Sequence, residues 1–319
     1  MNLTPLVSVL IPVYNGTAFL ADAIQSVRNQ TCQNFEIIVV DDGSSDGSFA
    51  LAQQLAATDL RIKVIRQKNG GTQSARNTAM QNSCGEWIAL LDQDDVWLPR
   101  KLESQLALLA STPRPNLLFT NYVNWDGAND LSARYTRRNQ FPEGDVGAEL
   151  IGSCLFGASS VMLPRHLAET LGGFDPAFHF SGDWDMWLRV AESGVWARGV
   201  WEPQMRYRLW PGNESKKILA ITAETSDMLE KALTRPQTAR RSRLYRRSLQ
   251  IARSNLELAR ARRLLDVTPD AVPATVFRAW KHTPFRIRWL FRYLGLLWPV
   301  PLGGAYTSTY VHRKLCEKW

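Results

Sequence analysis

Val7-Ser8-Val9-Leu10-Ile11-Pro12-Val13-Tyr14-Asn15-Gly16 is the stretch on which the fold turns. A short β-branched and apolar run that ends in Asn-Gly reads as a strand buried on both faces and running into a turn. Such strands belong to parallel sheets, where each strand needs a crossover helix before the next. The sequence supplies that alternation. Helices are expected over residues 17–29, 47–57, 72–81 and 99–110, and strands over 35–40, 62–66, 87–91 and 117–122. The pattern predicts an α/β fold with a doubly wound, mostly parallel sheet.

Ligands of such sheets bind beyond the carboxyl ends of the strands. The residues there are polar throughout: Tyr14-Asn15-Gly16, then Asp41-Asp42-Gly43-Ser44-Ser45-Asp46, Lys68-Asn69-Gly70-Gly71 and Asp92-Gln93-Asp94-Asp95. All four segments are expected at one edge. Residues 124–142 lack periodicity and read as a long, substrate-facing connection. A strand over 159–163, a short helix from Pro164, the turn Gly172-Gly173 and a helix over about 183–193 complete the domain. Beyond Pro211-Gly212, residues 218–233 and 240–265 have helical spacing.

The chain has 319 residues, enough for one large domain or two ordinary ones. From Asn213 to the end, 21 Lys and Arg face 8 Asp and Glu, a net +13; the rest carries 17 against 22, a net −5. Residues 1–212 therefore read as a mildly acidic catalytic domain and 213–319 as a basic, mainly helical region that meets something anionic. Cys32, Cys84, Cys154 and Cys316 are scattered and read as reduced, which points to the cytoplasm. No basic leader precedes the short apolar run at residues 6–13, and the longest apolar tail segment, 289–306, contains Arg292, Pro299 and Pro301, so neither secretion nor a membrane span is expected.

Four constellations carry the chemistry. Asp92 and Asp94 form an Asp-x-Asp at a strand end, where two carboxylates can face one hard divalent cation, Mn²⁺ or Mg²⁺, together with phosphate oxygens. An ordinary acidic turn, with Asp95 capping the next helix, is the bland reading. Asp42, in Asp-Asp-Gly-Ser-Ser-Asp, can accept hydrogen bonds from a base or a ribose, and small residues let the backbone approach a ligand. Arg76 lies a turn into the helix opened by Gly70-Gly71 and can meet phosphates or a base. In Gly182-Asp183-Trp184-Asp185-Met186-Trp187, Asp183 suits the carboxylate that takes a proton from an attacking hydroxyl, with Asp185 second.

Together these segments resemble the family 2 glycosyltransferases, an inverting, nucleotide-sugar-dependent group with the GT-A fold. The resemblance covers about residues 5–215. It rests on the motifs at 7–15, 41–46, 69–77 and 92–95, Gly-Gly-Phe-Asp at 172–175, and Gly-Asp-Trp-Asp-Met-Trp-Leu-Arg at 182–189. It implies that Pro12, Tyr14 and Asp42 hold the nucleoside with help from Arg76. Asp92 then lies by the ribose or diphosphate, Asp94 ligates the metal and Asp183 is the base. Gly157, Ser159 and Trp184 would face the sugar or acceptor. Two departures stand out: Gly182 where the family usually has Glu, and Trp210 where it often has His.

The implied activity moves a sugar from a nucleoside-diphosphate donor, UDP favoured over GDP and dTDP, to a glycan or lipid-linked acceptor. Basic residues alternate with aromatic ones over 278–298, the pattern of a segment lying in an anionic membrane interface, which suggests a peripheral place on the cytoplasmic face. A non-catalytic nucleotide-sugar-binding module is the alternative. A sugar-nucleotide pyrophosphorylase would need a Gly-rich phosphate loop after the first strand, which Tyr14-Asn15-Gly16-Thr17 does not provide. No nucleic-acid-binding motif is present, and no nucleic-acid partner is expected.

Overall fold

The computed structural model describes residues 4–111, 115–136, 141–194, 196–264, 268 and 271–283. The chain divides into two compact units, Met1–Pro211 and Gly212–Trp319. In the first, β1 (Val7–Val13), α1 (Leu20–Arg28), β2 (Phe35–Asp41), α2 (Ser48–Ala56), β3 (Ile62–Arg66), α3 (Thr72–Gln81) and β4 (Trp87–Leu90) follow the expected alternation. Next come β5 (Val96–Trp97), α4 (Lys101–Ser111), β6 (Pro115–Trp125), β7 (Asp130–Ala133), α5 (Gly147–Gly152), β8 (Met162–Pro164), α6 (Arg165–Thr170), α7 (Gly182–Glu192) and β9 (Trp196–Arg208). Among the described residues these strands form one sheet in the order β3-β2-β1-β4-β8-β6-β9-β5, with β7 paired to β6. Pairing is parallel from β3 to β4 and again between β6 and β9, as the doubly wound α/β reading expects.

β1 lies at the centre because every one of its residues is buried, with Val7, Val9, Ile11 and Val13 meeting Ile24 of α1 and Ile37 and Val39 of β2 in one core. Pro12 fits this central strand for a specific reason. Leu10 O accepts from Leu91 N on the β4 side, and Val13 O accepts from Asp42 N on the β2 side. Strand residues alternate sides, so Pro12 faces the β4 side, beyond the last β1–β4 pair at Leu10. The N–H that proline lacks is not needed there.

Several elements depart from the sequence reading. The strand expected over 159–163 starts as a single 3-10 turn, Ala158–Ser160, and becomes β8 only at Met162. The reading did not contain α5 or the helix Val272–His282, and three further strands differ. Residues 124–142, read as a connection, begin inside β6 and include β7, which turns back on it as an antiparallel pair. The second is β9, which the sequence reading did not contain; it pairs with β6 over most of its length through several register shifts. β5 is likewise new, and pairs with β9.

In the second unit, α8 (Ile218–Leu233), α9 (Ser242–Leu264) and α10 (Val272–His282) follow in order. Glu257 of α9 joins Arg260 at 2.6 Å and Arg278 of α10 at 2.8 Å. No helix among the described residues is long and apolar enough to cross a membrane. Cys32, Cys84 and Cys154 are free thiols. Cys316, and residues 284–298 of the proposed interfacial segment, lie outside the described residues.

Gly85, just before β4, is packed against backbone: a Cβ there would stand 2.6 Å from Ser8 N and 2.8 Å from Val7 C. Backbone cannot yield as a side-chain tip can. Gly85→Ala is expected to destabilise the fold by about 1–3 kcal/mol, read as a lower urea midpoint at unchanged slope.

Candidate active site

The loops after β1 and β2 are stitched together. Asn15, in the left-handed region at φ 49°, donates its N–H to Ser44 Oγ at 3.0 Å and accepts from Ser45 N through Oδ1 at 2.9 Å. Asp42 is buried, and its carboxylate accepts from Gly70 N at 2.9 Å, Gly71 N at 2.8 Å and Gln67 Nε2 at 2.7 Å. It therefore shapes the double-glycine turn, with Gly71 at φ 86°. Tyr14 is half exposed, and its backbone is read by one side chain: Tyr14 N donates to Gln93 Oε1 at 2.9 Å and Gln93 Nε2 donates to Tyr14 O at 3.1 Å. Gln93 thus ties the first loop to the acidic turn.

That turn is held from several sides. Asp92 N donates to Ser159 Oγ at 3.0 Å, while Asp92 Oδ1 accepts from Arg76 Nη2 at 2.7 Å. Arg208, at the end of β9, donates its N–H to Asp95 Oδ1 at 3.1 Å, Nε to Asp94 O at 2.9 Å and Nη2 to Asp22 at 2.8 Å. Trp210 Nε1 donates to Asp94 Oδ2 at 2.7 Å, its ring edge-on to Phe19 at 5.1 Å. Asp95 is buried and bound to Arg208, so the simple helix-cap reading gives way to a structural anchor.

Burial, and then the charge of Asp92, raise the Asp94 carboxyl above its ordinary range. Burial, followed by repulsion from Asp94 and Asp92, raises Asp95 further. Asp92 and Asp94 each retain an oxygen outside these side-chain hydrogen bonds. A pair of carboxylates that repel one another and keep free oxygens fits a hard cation. Among the described residues no group of three or more His, Cys, Asp or Glu could hold a metal.

Asp183 sits half-buried in the first turn of α7 and accepts from Trp184 N at 2.7 Å. Burial lifts its carboxyl to about 6; Asp92 adds to the rise, while Arg76 and the Trp184 N–H oppose it. Asp185 differs: it is fully buried, and its carboxylate holds Arg189 at 2.8 Å, whose Nη1 in turn donates to Leu171 O at 2.7 Å. The ion pair and full burial give Asp185 a structural role.

Of the residues expected on the acceptor side, Trp184 turns into the core and donates to Leu150 O at 2.6 Å. Ser159 is buried and supports Asp92, and its own carbonyl accepts from Trp97 Nε1 at 2.9 Å. Gly157 faces the Tyr122 ring, with room for a Cβ no nearer than 3.6 Å. Arg208, Gln93 and the indole of Trp210 are the contributors whose contacts the sequence did not specify. Their signal was only polarity or aromaticity near a strand end.

The Asp183 shift has a consequence for stability. Because the folded state raises this pKa from 3.8 to about 6, it favours the protonated form, and the stabilisation present at low pH is lost as pH rises through about 6. Asp183→Asn has no such loss. In melts from about pH 4 to about pH 7.5, its melting temperature relative to wild type should climb across that window.

Comparison with known proteins follows the same lines. Residues 8–162 match the family model described as Glycosyl transferase family 2. The putative teichuronic acid biosynthesis glycosyltransferase TuaG of Bacillus subtilis is 33% identical over 213 residues, covering 65% of this chain and 81% of the relative. The UDP-Glc:alpha-D-GlcNAc-diphosphoundecaprenol beta-1,3-glucosyltransferase WfgD of Escherichia coli is 33% identical over 186 residues, 58% of this chain and 69% of that one. Among solved structures, S. aureus TarS 1–349 superposes with a TM-score of 0.63 at 16% identity over 89% of this chain and 82% of its own, a likeness of fold. Against uncharacterised Rickettsia glycosyltransferases the chain spans only 27% to 58% of the relative's length. Motifs in order, the fold they predict and a relative matched over most of its length agree: the chain belongs to glycosyl transferase family 2.

Proposed function

We propose that the protein transfers a sugar, with inversion, from a nucleoside-diphosphate donor to a hydroxyl of a lipid-linked or cell-surface glycan intermediate, and that Asp183 is the base. The observation that carries this reading is the state of Asp183: a half-buried carboxylate at a helix start, raised to about 6, with Arg76 and Asp92 close enough to act on it. A base works best when its pKa lies near the operating pH. The N–H of Trp184 steadies one oxygen and leaves the other to receive the acceptor proton.

Asp92 and Asp94 would hold a Mn²⁺ or Mg²⁺ ion, whose chemistry there is to neutralise a departing diphosphate. Arg76 pins Asp92, Trp210 and Arg208 pin Asp94, and Gln93 sets the Tyr14 loop against them. Asp42, through Gly70 and Gly71, fixes a turn whose backbone can approach the nucleotide. A UDP-sugar is the favoured donor, supported by the donor in the name of WfgD, which also names a diphosphoundecaprenol acceptor. An acceptor of that kind lies at a membrane, and α10 suits such a place. Phe277 and Trp280 stack at 5.6 Å, 52% and 36% exposed, with Lys281 over the Phe277 ring at 5.0 Å.

Nucleoside diphosphate release from UDP-, GDP- and dTDP-sugars, with Mn²⁺, Mg²⁺ or EDTA and with a detergent extract of lipid-linked acceptors, tests the reading. Metal-dependent release from one donor is expected, with turnover rising through about pH 6 as Asp183 ionises. Asp183→Asn should lose about 10²–10⁴-fold in turnover while still binding UDP. Normal transfer by that variant would remove Asp183 as base; binding without turnover on every donor would favour a non-catalytic module. For the membrane contact, Trp280→Ser with Lys281→Glu should reduce retention on vesicles of anionic lipid. Equal retention of variant and wild type would remove α10 from that role.

A further inference from the structure

Gly182 opens α7 immediately before Asp183, and a side chain at its position would run into Gln73. A Cβ there would stand 2.4 Å from Gln73 Cδ and 2.6 Å from both Cγ and Nε2. Gln73, reaching over from α3, occupies that space and is 4% exposed. Its Oε1 accepts from Arg76 Nη1 at 3.1 Å, three residues along the same helix. Arg76 Nη2 reaches Asp92 at 2.7 Å, and Arg76 Nε is buried with no hydrogen-bond partner among the described residues. The guanidinium is thus held by its two terminal nitrogens, one on a carboxylate and one on an amide.

We propose that Gln73 is a positioning residue, lodged in the space that glycine at 182 leaves, whose amide oxygen fixes the Arg76 guanidinium on Asp92 beside the helix start that carries Asp183. The importance of this arrangement rests on the reading of Asp92 and Asp183 given above. A side chain used only as filler would need shape and no acceptor, and methionine would serve as well. A buried guanidinium needs acceptors, because each N–H left without one costs its full desolvation. Without the amide, hydrogen bonding holds the guanidinium at Asp92, with the Phe174 ring centred 5.6 Å from its carbon, and a group hydrogen-bonded at one point can turn about it. The second anchor removes that freedom. Gly182 and Gln73 are therefore one device, since a side chain at 182 would drive the amide away from Arg76.

The test is arginine-selective NMR on the full-length chain, which reads rotation of the Arg76 guanidinium; its resonance is identified by loss in Arg76→Lys. Wild type should show separate Nη1 and Nη2 signals. Gln73→Met, which keeps length and removes the acceptor, should average them, and so should Gly182→Ala, which displaces the amide. Gln73→Glu retains an acceptor and should keep the signals apart. With the donor identified by the release panel, Gln73→Met and Gly182→Ala should each lose about tenfold in turnover, the scale of removing a group that orients a working residue, and Gln73→Glu should recover most of it. Separate signals in Gln73→Met, or averaged signals with unchanged turnover, would overturn the proposal. Should Gln73→Met fail to fold, Gly182→Ala carries the same comparison. The NMR readout needs no donor and no base, so failure of the Asp183 assignment, seen in Asp183→Asn, is distinguishable from failure here.

Discussion

The catalytic unit is organised around one electrostatic problem: three carboxylates, Asp92, Asp94 and Asp95, crowd into four residues at the end of a buried strand. Like charges brought together in surroundings of reduced dielectric repel more strongly than they would in water. The upward shifts of Asp94 and Asp95 are the local record of that repulsion together with burial. The turn persists because distant elements return to it. Arg76 comes from α3, Ser159 from the short turn before β8, and Arg208 from the end of β9. β9 lies well across the sheet from β4, and pairing with β6 and β5 directs its end to the acidic turn.

The early part of the unit was legible because its information is local. β1 to β4 are short apolar runs separated by helices, and β3 and α3 have the bounds that residue pattern alone suggests. β9 was hidden because its burial alternates imperfectly and it contains Gly199 and Pro203, which read as breaks. What makes it a strand is long-range pairing with β6, interrupted by shifts at Asn121. There, Asn121 Nδ2 donates to Tyr135 O at 2.9 Å and Trp201 O at 3.1 Å, so a buried polar residue repairs the irregular ladder. A single sequence gives no sign that an asparagine does such work. β7 is exposed along most of its length and carries no hydrophobic stripe to detect.

The site shows the same division. The acidic turn, the double glycine and Asp183 announce themselves by residue type beside a strand end or helix start. Their partners do not. Asp42 was expected to face a ligand, and its three hydrogen bonds within the protein show that it builds the turn beside it. The two roles are compatible, because each carboxylate oxygen has two acceptor sites. Asp185 and Trp184 are the converse case: placed in the same motif as Asp183, they are buried, because α7 is covered over most of its surface while Asp183 in its first turn stays half-buried.

Trp210 gives the acidic turn its particular character. An indole nitrogen is a donor with no lone pair to offer a cation, so it cannot complete a coordination sphere as an imidazole can. What it can do is hold a carboxylate. With Phe19 edge-on to its ring and the Trp210 N–H on Asp94 Oδ2, it orients Asp94 without competing for metal as a ligand. Arg208 reaches the backbone of the same residue, so side chain and main chain of Asp94 are set from one segment. A cation held between Asp92 and Asp94, as proposed above, would therefore meet an Asp94 carboxylate already oriented from outside the pair.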